Sequence, residues 1–491
     1  MKIFNVFTTF SLIVLSLTTT SCHQQGEKPL NREIVFAMGQ APLNLDPRYA
    51  TDAASERINR LIYQSLVDFD AQSKPNPSLA TWRAISPTEY RFSLNQVPST
   101  FHYPTALISS RLNANDVKAT YDSFASLKDS PHAAEFDNIE NIIVSDDRTL
   151  LFQLKKPDKH FPAKLIIGIL PAALIAKNHD FSHSPVGSGP LKLLSWQNQL
   201  KLVRVSDGQT ISLQEVKDPT VRVLKLLHGE VDVLQGELPP ELVKYLQTKA
   251  EISVKTNSGA NFSYLGLNMQ DPILKNLKVR QAIAHAIDRE AIIQKVMVSN
   301  TRVASAILPP EHYTNQQALP AYAYQPALAR KLLLEAGIKL PLKLVYKTST
   351  DAQRVRFATI MQAQMLPAAI QLEIRSLDWG TFFEEVKQGN FQLYGLTWVG
   401  IKTPEIYSKA FGSNSIPPNG FNRGRYADLE LDQLLLDENW QAVTTRIHNQ
   451  LPYIPLWYEG QFAAMRKGIH NFSPKPDGNW DDLATISRYA H

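Results

Sequence analysis

One cysteine in 491 residues excludes any internal disulfide, so this chain must be held together by apolar packing and hydrogen bonds alone. That cysteine, Cys22, closes a leader reading "MKIFNVFTTFSLIVLSLTTTS", with a cation at Lys2, an apolar run through Leu17 and small residues from Thr18 to Ser21. The run is too short to span a bilayer stably and reads as an export signal. No other stretch approaches the ~20 apolar residues of a transmembrane helix, so the mature chain is expected to be exported and to fold in water. Its length exceeds what a single compact core uses and predicts roughly two to four domains.

Small residues before a cysteine are what a lipoprotein signal peptidase accepts. The stretch resembles a bacterial lipobox, with Thr19 where Leu, Val or Ile is usual. It predicts that Cys22 becomes a lipidated first residue; the alternative is a soluble periplasmic product cut nearby. Several acyl chains on one terminus would hold the protein at a membrane where one chain would not. His23 is not the aspartate that retains lipoproteins at the inner membrane of many two-membrane bacteria, so either membrane is open to it. The 51 basic and 46 acidic residues give a formal charge of +5, and the cations are scattered among acids and apolar residues. Such a surface argues against a nucleic-acid partner.

After a polar tether at 23–33, helix and strand signals alternate. "EIVFAMG" reads as a strand. Asp52 or Ser55 is placed to cap a helix bearing Ile58, Leu61, Ile62 and Leu66. Asn113 and Asp116 have capping-box spacing ahead of Val117, Tyr121 and Phe124. Further strands are expected in "NIIVSDDRTLLFQL", and after the Gly/Pro-rich turn of "SPVGSGPLKLLSW". Asp288 is a cap for a short helix, and Pro326 and Gly337 bracket another. Phe391 to Trp398 suits a buried strand, which Gly400 releases and Pro404 stops. The order is mixed α and β without repeats.

Chemistry-bearing motifs are scarce. His179 and His183 are spaced i, i+4, but "KNHDFSHSPVGSGP" is dense in turn formers, so surface loop histidines are expected rather than a metal pair. No Gly-x-Ser-x-Gly, His-Glu-x-x-His or Cys-x-x-Cys occurs, no P-loop follows the glycines at 187–189, and neither an enzyme nor a resident cofactor is expected.

Eight segments occur in a fixed order: "LDPRYATDAASERINRLIYQSLVDFD", "LNANDVKATYDSF", "PVGSGPLKLLSW", "HGEVDVL", "LGLNMQDPILKNLKVRQAIAHAIDREAII", "ARKLLLEAGI", "GNFQLYGLTW" and "YIPLWY". Together they resemble the family 5 extracellular solute-binding proteins, the oligopeptide- and dipeptide-binding components of ABC importers, from about residue 34 to 475. The resemblance implies an α/β fold of the type II periplasmic-binding-protein class. One lobe would comprise 34–70, 185–265 and 475–491, an inserted domain 71–184, and a second lobe 266–474. Ligand would be enclosed between the two large lobes by hinge closure and shown to a permease with its ATPase subunits. The crossings between lobes are expected near Tyr264–Leu267 and Ser473–Pro476, and the protein is expected to act as a monomer.

In peptide-binding members, the segment matching "LTWVGIKTPEIY" carries an aspartate three residues after the tryptophan, and that carboxylate pairs with the ligand's ammonium. Here Trp398 matches the tryptophan, but Ile401 stands at the aspartate position and Lys402 follows. Burying an ammonium without an opposite charge is costly, so an ordinary free-amino peptide is disfavoured. Glu405 or Asp378 could supply the acid from elsewhere, the ligand could lack a free amino terminus, or Lys402, Arg423 and Arg425 could receive an anionic group. Tyr264 and Asn268 are further pocket candidates, with core or turn roles as the alternative. Two other functions stay open on the sequence. One is capture of a metal chelate or haem-type ligand. The other is a non-transport envelope sensor or partner-binding role with a degenerate cleft.

Overall fold

The computed structural model of the chain describes residues 33–105, 110–127, 129–197, 199–314 and 319–489. Cys22, its leader and the tether as far as residue 32 lie outside them. Side-chain caps set the helices. Asp52 accepts from the Ser55 N–H and starts Ala53–Ile62, with Leu66 buried beyond its end. Asn113 and Asp116 cap Ala114–Ser123 reciprocally, each carboxyl or amide oxygen accepting at 2.9 Å. Asp116 also accepts from Ala172 N–H at 2.9 Å, which ties that helix to the chain ahead of the next domain. Asp288 starts Arg289–Val296, Pro326 opens Pro326–Glu335, and Gly337 lies just past that helix at φ +73°.

A long mixed sheet forms the spine. Its strands run in the order Ile370–Leu377, Leu342–Ser349, Leu393–Trp398, Ile252–Leu267, Tyr453–Arg466, Val233–Gln235, Ile34–Met38, Thr210–Glu215, Leu200–Arg204, Leu191–Trp196. A separate antiparallel sheet of Ala80–Ser86, Glu89–Leu94, Thr149–Leu154 and Ile139–Asp146 belongs to the inserted part. Packing divides this spine into lobes. Phe36, Leu213 and Val233 share a core with Phe92 and Phe152 of the inserted sheet and with Met465, Phe472 and Leu483 near the C-terminus. Cores holding Leu265, Leu344 and Trp457, and Phe262, Tyr407 and Tyr453, build the other lobe. We call these the N-terminal and C-terminal lobes.

Two long antiparallel strands, Ile252–Leu267 and Tyr453–Arg466, run from one lobe into the other. Their register breaks between Asn257↔Gln461 and Asn261↔Glu459, so three residues, 258–260, face the single residue Gly460. This break is where the lobes join, and it differs from the expected crossings. Tyr264–Leu267 is already paired with Leu393–Leu396 inside the C-terminal lobe. Ser473–Pro476 lies in the N-terminal lobe, where the Pro476 and Pro474 carbonyls accept from Ala260 N and Asn257 Nδ2 and brace the break from outside. Turn formers do mark the break, in "NSGAN" at 257–261 and at Gly460, but inside a strand pattern they do not say that the chain changes lobe, just as the prolines of "SPKP" mark only an irregular segment.

Candidate functional site

The strand Leu393–Trp398 brings Trp398 to the end of the C-terminal lobe nearest the crossing, opposite Phe262. Gly400 takes φ +69° and turns the chain out of the sheet. Pro404, expected only to stop the strand, also caps the helix Glu405–Phe411, since its restricted φ suits a helix start. The four residues after Trp398 therefore form a short loop facing the N-terminal lobe.

Lys402 spans the gap between the lobes. Its Nζ lies 2.8 Å from Asp477 Oδ2 and 5.4 Å from the ring centre of Phe69, both in the N-terminal lobe. Its carbonyl meets His312 Nε2 at 2.8 Å. Burial pushes the Asp477 carboxyl up, but the charge and hydrogen bond of Lys402, with Asn479 N–H and Arg60 behind, bring it below its ordinary value. Other contacts close the same gap. His160 Nε2 of the inserted domain donates to Glu438 at 2.6 Å, and Tyr313 N–H donates to the Gln72 carbonyl at 3.0 Å. The lobes are shut on one another.

Three of the candidate residues, Tyr264, Trp398 and Arg423, lie together. Trp398 stacks on Tyr264 with ring centres 6.3 Å apart, meets Phe421 edge-on, and lies under the Arg423 guanidinium at 5.0 Å. Ile401 is half-buried against the same aromatic core. Asn268 and Arg425 are not brought to this group. Asn268 Nδ2 donates to the Gly389 and Phe391 carbonyls while its Oδ1 accepts from Gln270 N–H, which uses the whole side chain inside a turn. Arg425 donates to the carbonyls of Arg423 and Lys387, at the end of the helix Trp379–Gln388. Neither proposed substitute acid faces Trp398. Asp378 caps that helix by accepting from Thr381 N–H, and Glu405 lies 3.6 Å from His160 Nδ1.

Sequence reasoning missed Asp477, Phe69 and Arg57. Arg57, on the helix Ala53–Ile62, sits 5.3 Å over the Trp480 ring; burial draws its guanidinium below the usual value, and Glu237, Asp477 and Glu56 oppose that. Only the "DGNW" turn at 477–480 hinted at them, and a turn alone does not say what it faces. His179 and His183 lie in a turn, bonded to the Ser184 carbonyl and Ser182 Oγ. Among the described residues no group of three or more His, Cys, Asp or Glu is gathered as for a metal, and no helix is long and apolar enough to cross a membrane.

Two α/β lobes joined by a pair of crossing strands, with an inserted domain beside them, define a type II periplasmic binding protein. The chain belongs to the bacterial extracellular solute-binding proteins, family 5, whose middle region matches residues 109–416; these are the solute receptors of ABC importers and work outside the cytoplasm. It is 26% identical to the probable di/tripeptide-binding protein 5 of Pseudomonas aeruginosa, over 86% of this chain and 89% of that one. It is 27% identical to the glutathione-binding protein GsiB of Escherichia coli, over 91% of this chain and 93% of the relative. The ABC transporter substrate-binding protein CtaP of Listeria monocytogenes shares the fold at a TM-score of 0.82, with 20% identity, 93% of this chain and 99% of that one covered.

Proposed function

We propose that this chain captures peptides or peptide-like solutes between its lobes and hands them to the permease and ATPase subunits of an importer. It acts as a monomer without catalytic activity, anchored in the cell envelope through a lipid on Cys22 once the leader is removed. The observation that carries the reading is the loop Val399–Lys402. It leaves the Trp398 strand at the crossing and reaches the opposite lobe, so the wall of the cleft changes shape when the lobes part. The names borne by the two relatives above support the peptide class. The three-part division expected from the sequence belongs to the same reading, its lobes joined at the crossings described above.

Ile401 supports a particular preference inside that class. A hydrocarbon offers a ligand ammonium nothing, so unmodified di- to pentapeptides should bind weakly to the parent protein. Ile401→Asp should tighten their binding by roughly tenfold, about 1.4 kcal/mol. Calorimetry with a defined peptide set reads this directly, and small-angle scattering reports closure. Tight binding of ordinary peptides by the parent would remove the preference, and a scattering profile indifferent to every solute would remove the receptor reading. For the anchor, Cys22→Ser should move the protein from the membrane fraction to the soluble envelope fraction; an unchanged distribution would reject lipidation.

A further inference from the structure

Resting on that peptide-receptor reading, we infer that Arg423 is the residue with which the C-terminal lobe receives a carboxylate of the ligand. The charges near Trp398 are otherwise committed. Lys402 is paired with Asp477, Arg425 is spent on backbone carbonyls, and Arg354 donates to the Gly395 carbonyl while lying over Trp379. Among the described residues the Arg423 side chain has neither a hydrogen-bond acceptor nor a carboxylate within ion-pair distance. It is framed instead by three rings, with its guanidinium carbon 5.2 Å from Phe383, 5.0 Å from Trp398 and 5.5 Å from Phe421.

Ring contacts of this kind attract the cation without giving its N–H groups an oxygen to bond, so those donors remain for a partner. A carboxylate is the partner whose two oxygens match two parallel N–H groups. The frame is also reachable, because Phe421 is 47% exposed and Trp379, stacked on Phe383, is 52% exposed. With Ile401 at the acid position and a cation beside Trp398, the polarity of this wall is the reverse of one that greets an ammonium. A lysine would not serve equally, since its point charge lacks the second donor in plane.

The test is calorimetry on the purified full chain with four probes. They are N-acetyl-trialanine as the acid, the same peptide as its C-terminal amide, N-acetyl-Ala-Glu-Ala amide, and glutarate. The acid, or the amide bearing a glutamate side chain, should bind roughly tenfold or more tighter than the neutral amide, and which of the two does so tells a terminal from a side-chain carboxylate. Arg423→Gln should erase that difference and Arg423→Lys should restore only part of it, with melting temperatures unchanged. Equal binding of acid and neutral amide, or a difference that survives Arg423→Gln, overturns the inference and leaves the peptide reading standing. Binding of glutarate alone, lost in Arg423→Gln, keeps the carboxylate site and rejects the peptide class. Failure of every probe at millimolar concentration overturns the inference.

Discussion

Gly259→Val should lower the stability of the protein by about 3 kcal/mol or more and leave its lobes unable to close. Gly259 lies within the register break, where a Cβ would fall 1.6 Å from the Glu459 carbonyl oxygen and 2.8 Å from its carbon. Both atoms are backbone of the partner strand, so no side chain can swing aside and the strands themselves must part. Parting them would also disturb the bond from Ala260 N–H to the Pro476 carbonyl, which ties the break to the C-terminal tail. Gly460, on the other strand, is confined in the same way, 2.4 Å from the Ser299 carbonyl at its notional Cβ. Thermal melting and small-angle scattering check the two halves of the expectation. A valine variant that melts and closes like the parent would show that the break is not where the lobes join.

Lys402→Met should shift the solute-free protein toward an open form by about 2 kcal/mol, roughly thirtyfold in population, with little effect on melting. The figure lies between the 0–1 kcal/mol of a surface pair and the 3–5 kcal/mol of a broken buried one, because the Lys402 and Asp477 side chains are 21% and 23% exposed. Methionine keeps most of the side-chain length but removes the charged Nζ and with it the contact over Phe69, which leaves Asp477 desolvated without its partner. Acid should act through the same group. The Asp477 carboxyl is held below its ordinary value of 3.8 in the folded protein, so its contribution is full above that value and is lost as pH falls through the depressed one. The shut form should therefore persist at neutral and mildly acid pH and loosen only in strong acid, and Asp477→Asn should lack that part of the response. Scattering curves that superimpose for parent and Lys402→Met would remove the pair as a latch.

Local signals survived the comparison with the structure best. The caps at Asp52, Asn113 and Asp288 and the strand ending at Trp398 were all legible, because a cap needs only residues three or four positions apart. Pairings across the molecule were not. Nothing in "VGIK" foretells Asp477, and nothing in "NRGRY" tells Arg423 from Arg425, although one lies in an aromatic frame and the other braces a helix end. By residue type Asn268 suits a pocket or a turn equally, and its three bonds to backbone commit it to the turn.

By itself the sequence determined that the chain is built without disulfides, where many of its helices begin, that helix and strand are mixed along it, and that the residue three beyond Trp398 is a hydrocarbon. These follow from residue identity and short-range spacing. Only the tertiary structure decided that the lobes join at a pair of glycine-bearing strands, that Lys402 is spent on a carboxylate of the opposite lobe, and that Arg423 keeps its charge among three rings. The reason is that a charge acquires its meaning from what folding places within a few ångströms of it, and those neighbours come from segments far apart in the chain.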